Sequence, residues 1–169
     1  MLRRKPTKSA FDNLYFFCYN AVMDFKIIKM TADDKDAVME MMRTFYASDA
    51  VSTNGSDEIF SNDVDACVGS SPYAEGYVFK DGENYLGYGM LAKSYSTEFG
   101  KNCIWIEDLY IVPSARSKGI GRAFFAFVRE KYRGCALRLE VEKENVRAIA
   151  LYEKCGYETL PYSEMINLK

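Results

Sequence analysis

The chain has 169 residues, enough for one domain with a self-sufficient core, and 49% of them are apolar against 27% charged, the balance of a globular protein and not of a disordered or fibrous one. Its 22 basic and 24 acidic residues leave a net charge of −2, which argues against general nucleic-acid binding, and no apolar run approaches the roughly 20 residues of a bilayer-spanning helix. Histidine is absent, removing the usual general base and the commonest metal ligand, while Cys18, Cys67, Cys103, Cys135 and Cys155 lack C-x-x-C spacing, so neither a metal site nor a disulfide framework is indicated and a reducing cytoplasm fits.

Residues 1–22 open with Arg3, Arg4, Lys5 and Lys8, then a short aromatic patch over residues 14–19. A secretory signal would need a longer apolar stretch and a small-residue cleavage site. The segment is therefore read as an N-terminal extension, not native or poorly ordered, with the functional domain over residues 23–169 beginning at Met23. Residues 25–30 alternate as a strand. Thr31, Asp33 and Asp34 supply the cap and acidic first turn of a helix running to about Ala47, whose buried stripe is Val38, Met41, Met42, Phe45 and Tyr46. Ser56 or Ser61 opens a second short helix through Asp63, Asp65 and Val68. The acids of this region, Asp33, Asp34, Asp36, Glu40, Asp49, Asp57, Glu58, Asp63 and Asp65, read in the main as solvated helix faces; the sharper reading is that a few of them attract a polycationic amine.

Residues 77–80 and 85–92 are β-rich runs joined by Asp81-Gly82-Glu83-Asn84, and Phe99-Gly100-Lys101 reverses the chain into a third strand over residues 104–112. Pro113 stops that strand, and a helix over residues 117–132 follows with Ile120, Phe124, Phe127 and Val128 on its apolar stripe. Residues 136–142 alternate again, so strand, helix and strand form a unit that requires parallel pairing and a right-handed crossover. After a last helix, residues 157–169 are expected to supply one or two final strands, interrupted by Pro161. The fold class is α/β (α+β): a central mixed, mostly antiparallel sheet with helices on both faces.

The chemistry is concentrated where the third strand turns into a helix. Orphan N–H groups and the positive end of the helix dipole point outward there together. Gly119 and Gly121 let a large anion approach the backbone, and Arg116, Lys118 and Arg122 add charge around it. A Walker loop would need Gly-Lys-Ser/Thr, which does not follow Gly121. The dinucleotide fingerprint would need glycine at Phe124, although Glu140 lies about 20 residues downstream. The bland alternative is a glycine-bearing basic turn. A second motif, Asn145-x-x-Ala148-x-x-Leu151-Tyr152-x-x-Cys155-Gly156-Tyr157, places its apolar residues on one helical face and Gly156 at a left-handed cap. An ordinary amphipathic helix explains that spacing equally well, but not the ordered pair of motifs with a strand between them. Cys155 has no histidine to activate it and reads as a packed thiol.

Arg116-x-x-Gly119-x-Gly121 directly after a strand, followed by the Asn145 to Tyr157 motif, resembles the GNAT superfamily of N-acetyltransferases, which bind acetyl-CoA. The order of elements from Phe25 to Lys169 is similar to a complete domain of that family. Tyr95-Ser96-Thr97-Glu98-Phe99-Gly100-Lys101 leading to Ile106-Glu107-Asp108-Leu109-Tyr110-Ile111 resembles the diamine and polyamine acetyltransferases in particular; Ser117 departs from that subgroup, which usually has glycine directly after the arginine.

The resemblance implies acetyl-CoA as co-substrate. Its pyrophosphate would lie among Arg116, Ser117, Lys118, Gly119, Ile120, Gly121 and Arg122, held by the backbone amides of residues 118–122. It also implies that the backbone of Leu109, Tyr110 and Ile111 lines the pantetheine and helps stabilise the thioester oxyanion, that Asn145 contacts the pantetheine arm, that Tyr152 protonates the departing thiolate, and that the protein is a homodimer. The implied reaction is acetyl transfer by direct attack of a primary amine, a diamine, polyamine or lysine-like small molecule.

An alkylamine of pKa about 10 is almost wholly protonated at pH 7, so freeing its lone pair costs about 4 to 5 kcal/mol. Without histidine, Glu107 is the candidate to bind the ammonium and accept its proton, directly or through water; its alternative is a cross-strand ion pair. Asp108 points to the opposite side of a regular strand, so both carboxylates share one pocket only if a bulge intervenes. Competing functions are acetylation of protein N-termini or lysine side chains, which calls for an open peptide groove, a catalytically silent acyl-CoA sensor, and more remotely a nicotinamide-dependent oxidoreductase. Neither nucleic acid nor membrane is an expected partner.

Overall fold

The structure, a computed structural model, describes residues 16–20, 23–51, 55–163 and 165–167. Six strands are numbered in chain order: β1 (Phe16–Asn20), β2 (Met23–Lys29), β3 (Ala74–Asp81), β4 (Asn84–Ser96), β5 (Lys101–Ile111) and β6 (Ala136–Leu139). They lie side by side in that same order, every neighbouring pair antiparallel except β5 and β6, which are parallel. The helices are α1 (Lys35–Tyr46), α2 (Asp57–Val68), α3 (Ile120–Lys131) and α4 (Val146–Lys154). The α1–α2 pair fills the gap between β2 and β3, and α3 is the crossover between the parallel strands.

Alternation along the strands sorts apolar side chains to two faces. Phe25, Ile27, Tyr77, Phe79, Ile104 and Ile106 pack with Phe124, Phe127 and Val128 of α3, and the α4 residues Leu151 and Tyr152 join this layer. Met30, Val78, Tyr88, Met90 and Tyr110 pack on the other face with Val38 and Met42 of α1 and Phe60 and Val64 of α2. Helix entry follows local chemistry. Thr31 and Asp34 form a capping box ahead of α1, and the Ser56 hydroxyl accepts the Ile59 N–H at 3.2 Å at the start of α2.

Two bulges interrupt the alternation. Phe79 pairs with Gly87 and Lys80 with Tyr85, leaving Leu86 as an extra residue in β4. Met90 pairs with Asp108 and Leu91 with Ile106, leaving Glu107 as an extra residue in β5. Each bulge exchanges the faces of everything beyond it. Ile106 therefore faces α3, while Asp108 and Tyr110, two and four positions later, face α1 and α2.

Two expectations are corrected. Residues 157–163 and 165–167 form no strand: Pro161 removes a ladder donor, and Leu160, Tyr162, Met165 and Ile166 stay exposed. The strand expected over residues 136–142 ends at Leu139, because β5 offers no regular ladder past its bulge. Residues 16–20 pair with β2 as the edge strand of the sheet.

Glu75 joins β3, β4 and α3 through one carboxylate. It accepts hydrogen bonds from the hydroxyls of Tyr77 at 2.5 Å and Tyr132 at 2.6 Å and from the Lys93 ammonium, and Lys131 lies 3.5 Å away. Burial alone would raise its pKa, but Lys93, Tyr132, Tyr77 and the charge of Lys131 together bring it down to about 2. A folded-state pKa below the unfolded one stabilises the fold above the unfolded value, near 4.5, and that stability is lost as pH falls towards 2. Glu75→Gln is expected to cost about 2–3 kcal/mol at pH 7 and almost nothing near pH 2. Urea titrations of both proteins across that range check the convergence.

Candidate active site

The bulge at Glu107 organises the site. The parallel ladder pairs Cys103–Ile106 with Ala136–Leu139 and stops there, so among the described residues β6 does not pair with the end of β5 from Asp108 to Ile111. The two strands part, and the chain after β6 swings away through Glu140, Val141, Glu142, Lys143 and Glu144 to reach α4. Those five residues, Glu107, Asp108, Asp63, Tyr46 and Cys67 line a cleft of about 940 Å³, with Phe45, Met90, Leu91 and Ala92 among its apolar walls. Six of its lining groups are carboxylates and one, Lys143, is a cation. A cationic guest would be drawn in.

Asp108 is the deepest of these groups, 5% exposed. Its Oδ1 accepts from the Tyr46 hydroxyl at 3.2 Å and its Oδ2 from the Tyr88 hydroxyl at 2.8 Å. Burial pushes its pKa up, the two hydroxyls push it down, and the charges of Asp63 and Glu107 push it up again, to about 6. Burial also raises Asp63. The Cys67 thiol is driven up to about 12, chiefly by burial and then by the charges of Asp63, Asp108 and Glu75, and is inert at neutral pH.

The turn between β5 and α3 presents the second half of the site. Gly119, at φ 87°, is the N-cap of α3, and no side chain caps it. The first amides of the helix stay available to a ligand. A Cβ placed on Gly121 would lie 3.0 Å from Leu151 of α4, and Ile111 and Leu109 stand just beyond, so the glycine lets the two sequence motifs and the end of β5 pack together. A second bridge runs from Arg147 of α4 to the Ser117 hydroxyl at 2.8 Å. Arg116 is turned inward: its Nε donates to the Ile111 carbonyl at 2.9 Å and its guanidinium lies 5.9 Å from the Tyr110 ring, so it braces the loop against β5. Lys118 is half-buried and Arg122 exposed.

Ser117 adopts φ 63°, a left-handed conformation that no other non-glycine residue takes among the described residues. This is the position where the resembled subgroup carries glycine. Relief of about 1–2 kcal/mol of backbone strain in Ser117→Gly is partly offset by about 0.5–1 kcal/mol of unfolded-state entropy and the lost Arg147 bond. A net gain of up to about 1 kcal/mol is expected by thermal unfolding.

On the far side of the crossover, the Asn145 side chain accepts the Ala148 N–H at 3.2 Å as the N-cap of α4, and Gly156 ends the helix at φ 89°. Tyr152 packs edge-on against Phe125 at 5.3 Å between ring centres, and burial raises its pKa. Of the acids in the N-terminal half, Asp34, Asp57 and Asp65 are tied to Lys80, Arg43 and Lys35, and Asp63 is the one that reaches the cleft. Sequence reasoning missed Tyr46 and Tyr88 as polar partners, because their apolar pattern reads as core; a tyrosine on a core face at the level of a strand acid is the signal that was there.

The Acetyltransferase (GNAT) family model matches residues 36–157. The chain belongs to this family. Among curated GNAT relatives it is 42% identical over 82 residues to thialysine N-ε-acetyltransferase from Bos taurus, covering 47% of this chain and 48% of that protein. It is 27% identical over 146 residues to the thialysine N-ε-acetyltransferase of Caenorhabditis elegans, covering 83% and 88%. The chain spans about half the length of the Bos taurus and Mus musculus relatives it matches. Among solved structures, a possible acetyltransferase from Clostridium difficile superposes with TM-score 0.72 at 21% identity over 85% of this chain and 96% of the other. The aminoglycoside acetyltransferase AAC(6')-Iy in complex with a CoA bisubstrate analogue gives TM-score 0.71 at 12% identity over 86% and 98%. These likenesses establish the GNAT fold. Among the described residues no helix is long and apolar enough to cross a membrane.

Proposed function

We propose that the chain transfers an acetyl group from acetyl-CoA to a primary amine that carries further positive charge, a diamine, polyamine or lysine-like small molecule. The observation that carries this reading is the bulge at Glu107, which sets two adjacent carboxylates into one acidic cleft at the place where β5 and β6 part. The residues present fit the donor. The uncapped start of α3 and the positive charge of Lys118 and Arg122 suit a pyrophosphate, and the edge of Leu109, Tyr110 and Ile111 that β6 leaves unpaired suits an extended amide-bearing arm.

Bound there, acetyl-CoA supplies an acetyl thioester. Asp108 holds the ammonium of the acceptor at the floor of the cleft, and Glu107 accepts its proton, directly or through water, so that the lone pair is free to attack. Backbone N–H groups at the end of β5 stabilise the oxygen that gains charge. Tyr152, kept protonated by its surroundings, gives its proton to the leaving sulfur.

The test is thiol release from acetyl-CoA against a panel of amines: mono- and diamines, polyamines, lysine and thialysine, and peptides. Diamines, polyamines or the lysine-like pair should outrun monoamines and peptides. Turnover on peptides alone would favour a protein acetyltransferase, and acetyl-CoA binding without turnover on any amine would favour a sensor.

A further inference from the structure

We propose that Tyr46 and Tyr88 are positioning residues for Asp108: their hydroxyls, reaching from α1 and β4, hold its carboxylate as an anion and aim it at the cleft. The inference rests on the amine-acetylating reading for its kinetic consequence, and on geometry alone for its titration. Asp108 stands among groups that disfavour its charge. Asp63 approaches from α2 together with the neutral thiol of Cys67, Glu107 adjoins it on β5, and Glu140, Glu142 and Glu144 line the same cleft beyond β6, with Lys143 as the opposing charge there. Apolar Met90 and the Tyr110 ring complete its surroundings.

Against this, each carboxylate oxygen accepts one phenolic hydrogen, from Tyr46 at 3.2 Å and from Tyr88 at 2.8 Å. Both phenols have their pKa raised, first by burial and then by Asp108 itself, so they remain donors throughout the working pH range. A carboxylate with one donor on each oxygen cannot rotate without breaking a bond, and its outer lone pairs remain for an ammonium. The pairing depends on the bulge, since a regular β5 would turn Asp108 towards α3 and away from both tyrosines. Tyr88 is fully buried, so its hydroxyl has Asp108 as its partner in a place water does not reach.

The experiment uses the full chain carrying Tyr46→Phe or Tyr88→Phe, which keep the ring and remove the hydroxyl. Carboxyl-carbon NMR follows the titration of Asp108, its resonance assigned by comparison with Asp108→Asn, and kcat/KM for the best amine is measured from pH 5 to 9. Loss of either donor should raise the Asp108 midpoint, near 6 in the parent, by about 0.5–1 unit. The acid limb of kcat/KM should move with it, a loss of about 3–10-fold at low pH that closes to less than about twofold above pH 8. A merely structural role would lower activity evenly across pH. Should Tyr88→Phe fail to fold, Tyr46→Phe at the cleft wall carries the test. An Asp108 midpoint unmoved in the folded variants overturns the inference. A midpoint that moves in a protein that acetylates no amine upholds the inference and sinks the proposed function instead.

Discussion

Glu107→Gln is expected to lower kcat/KM for a diamine by about 10²–10⁴-fold at neutral pH, with acetyl-CoA affinity unchanged. Glutamine keeps the size and the hydrogen bonding of the side chain but cannot take a proton. At pH 7 the acceptor amine spends all but about one part in a thousand of its time as ammonium, so an acceptor of that proton beside the attacking nitrogen removes much of a barrier of about 4 kcal/mol. The bulge bears on this directly, since it sets Glu107 outside the regular register of β5, where its side chain lines the cleft. Thiol-release kinetics with calorimetric titration of acetyl-CoA check both halves. A loss below about threefold would return Glu107 to the part of a surface ion pair. Tyr152→Phe should likewise lower turnover with little change in acetyl-CoA binding, and equal turnover in that variant would remove Tyr152 as the acid.

Gly87→Ala should be the most damaging small substitution in the sheet, costing more than about 3 kcal/mol. A Cβ there would stand 2.1 Å from the Tyr110 carbonyl oxygen and 3.0 Å from the Ile111 Cα, on a backbone at φ 156°. Those neighbours are main chain and cannot rotate away, unlike the Leu151 side chain that faces Gly121. Relief requires β5 to move off β4 at the point where its backbone is proposed to line the donor site, so acetyl-CoA affinity should fall together with stability. Chemical denaturation measures the first and calorimetry the second. A variant within about 1 kcal/mol of the parent would mean that β4 and β5 are held less tightly here than the geometry indicates.

Much of the site was legible before any coordinates, and the reasons are local. Gly156 announces a left-handed position and takes it, at φ 89°. Ser56, one of two candidates to open the second helix, accepts the Ile59 N–H there. The period of the strands from residue 77 to 112 announced a meander, and the parallel step across α3 followed from the strand, helix, strand order. Local rules failed where a neighbour decided. The final strands were expected from composition, but Pro161 and a β6 that ends at Leu139 leave that segment nothing regular to pair with. Arg116, counted as a charge for the anion, also donates to the Ile111 carbonyl of its own strand, which spacing alone does not show. Nine acids in the N-terminal half looked alike, and only the placement of α2 separates Asp63 from the others.

By itself the order of residues determined the elements, the strand-to-helix turn with its glycines, the helix carrying Tyr152, and the adjacency of Glu107 and Asp108. These depend on spacing, capping and backbone preference, which act over a few residues. Only the tertiary structure decided that the two carboxylates face one cleft, that Tyr46 and Tyr88 bind Asp108, and that β5 and β6 part at that level. A bulge arises from the register between two strands, and register is a property of the pair: a one-residue offset leaves each strand's own pattern untouched while it exchanges which side chains share a face.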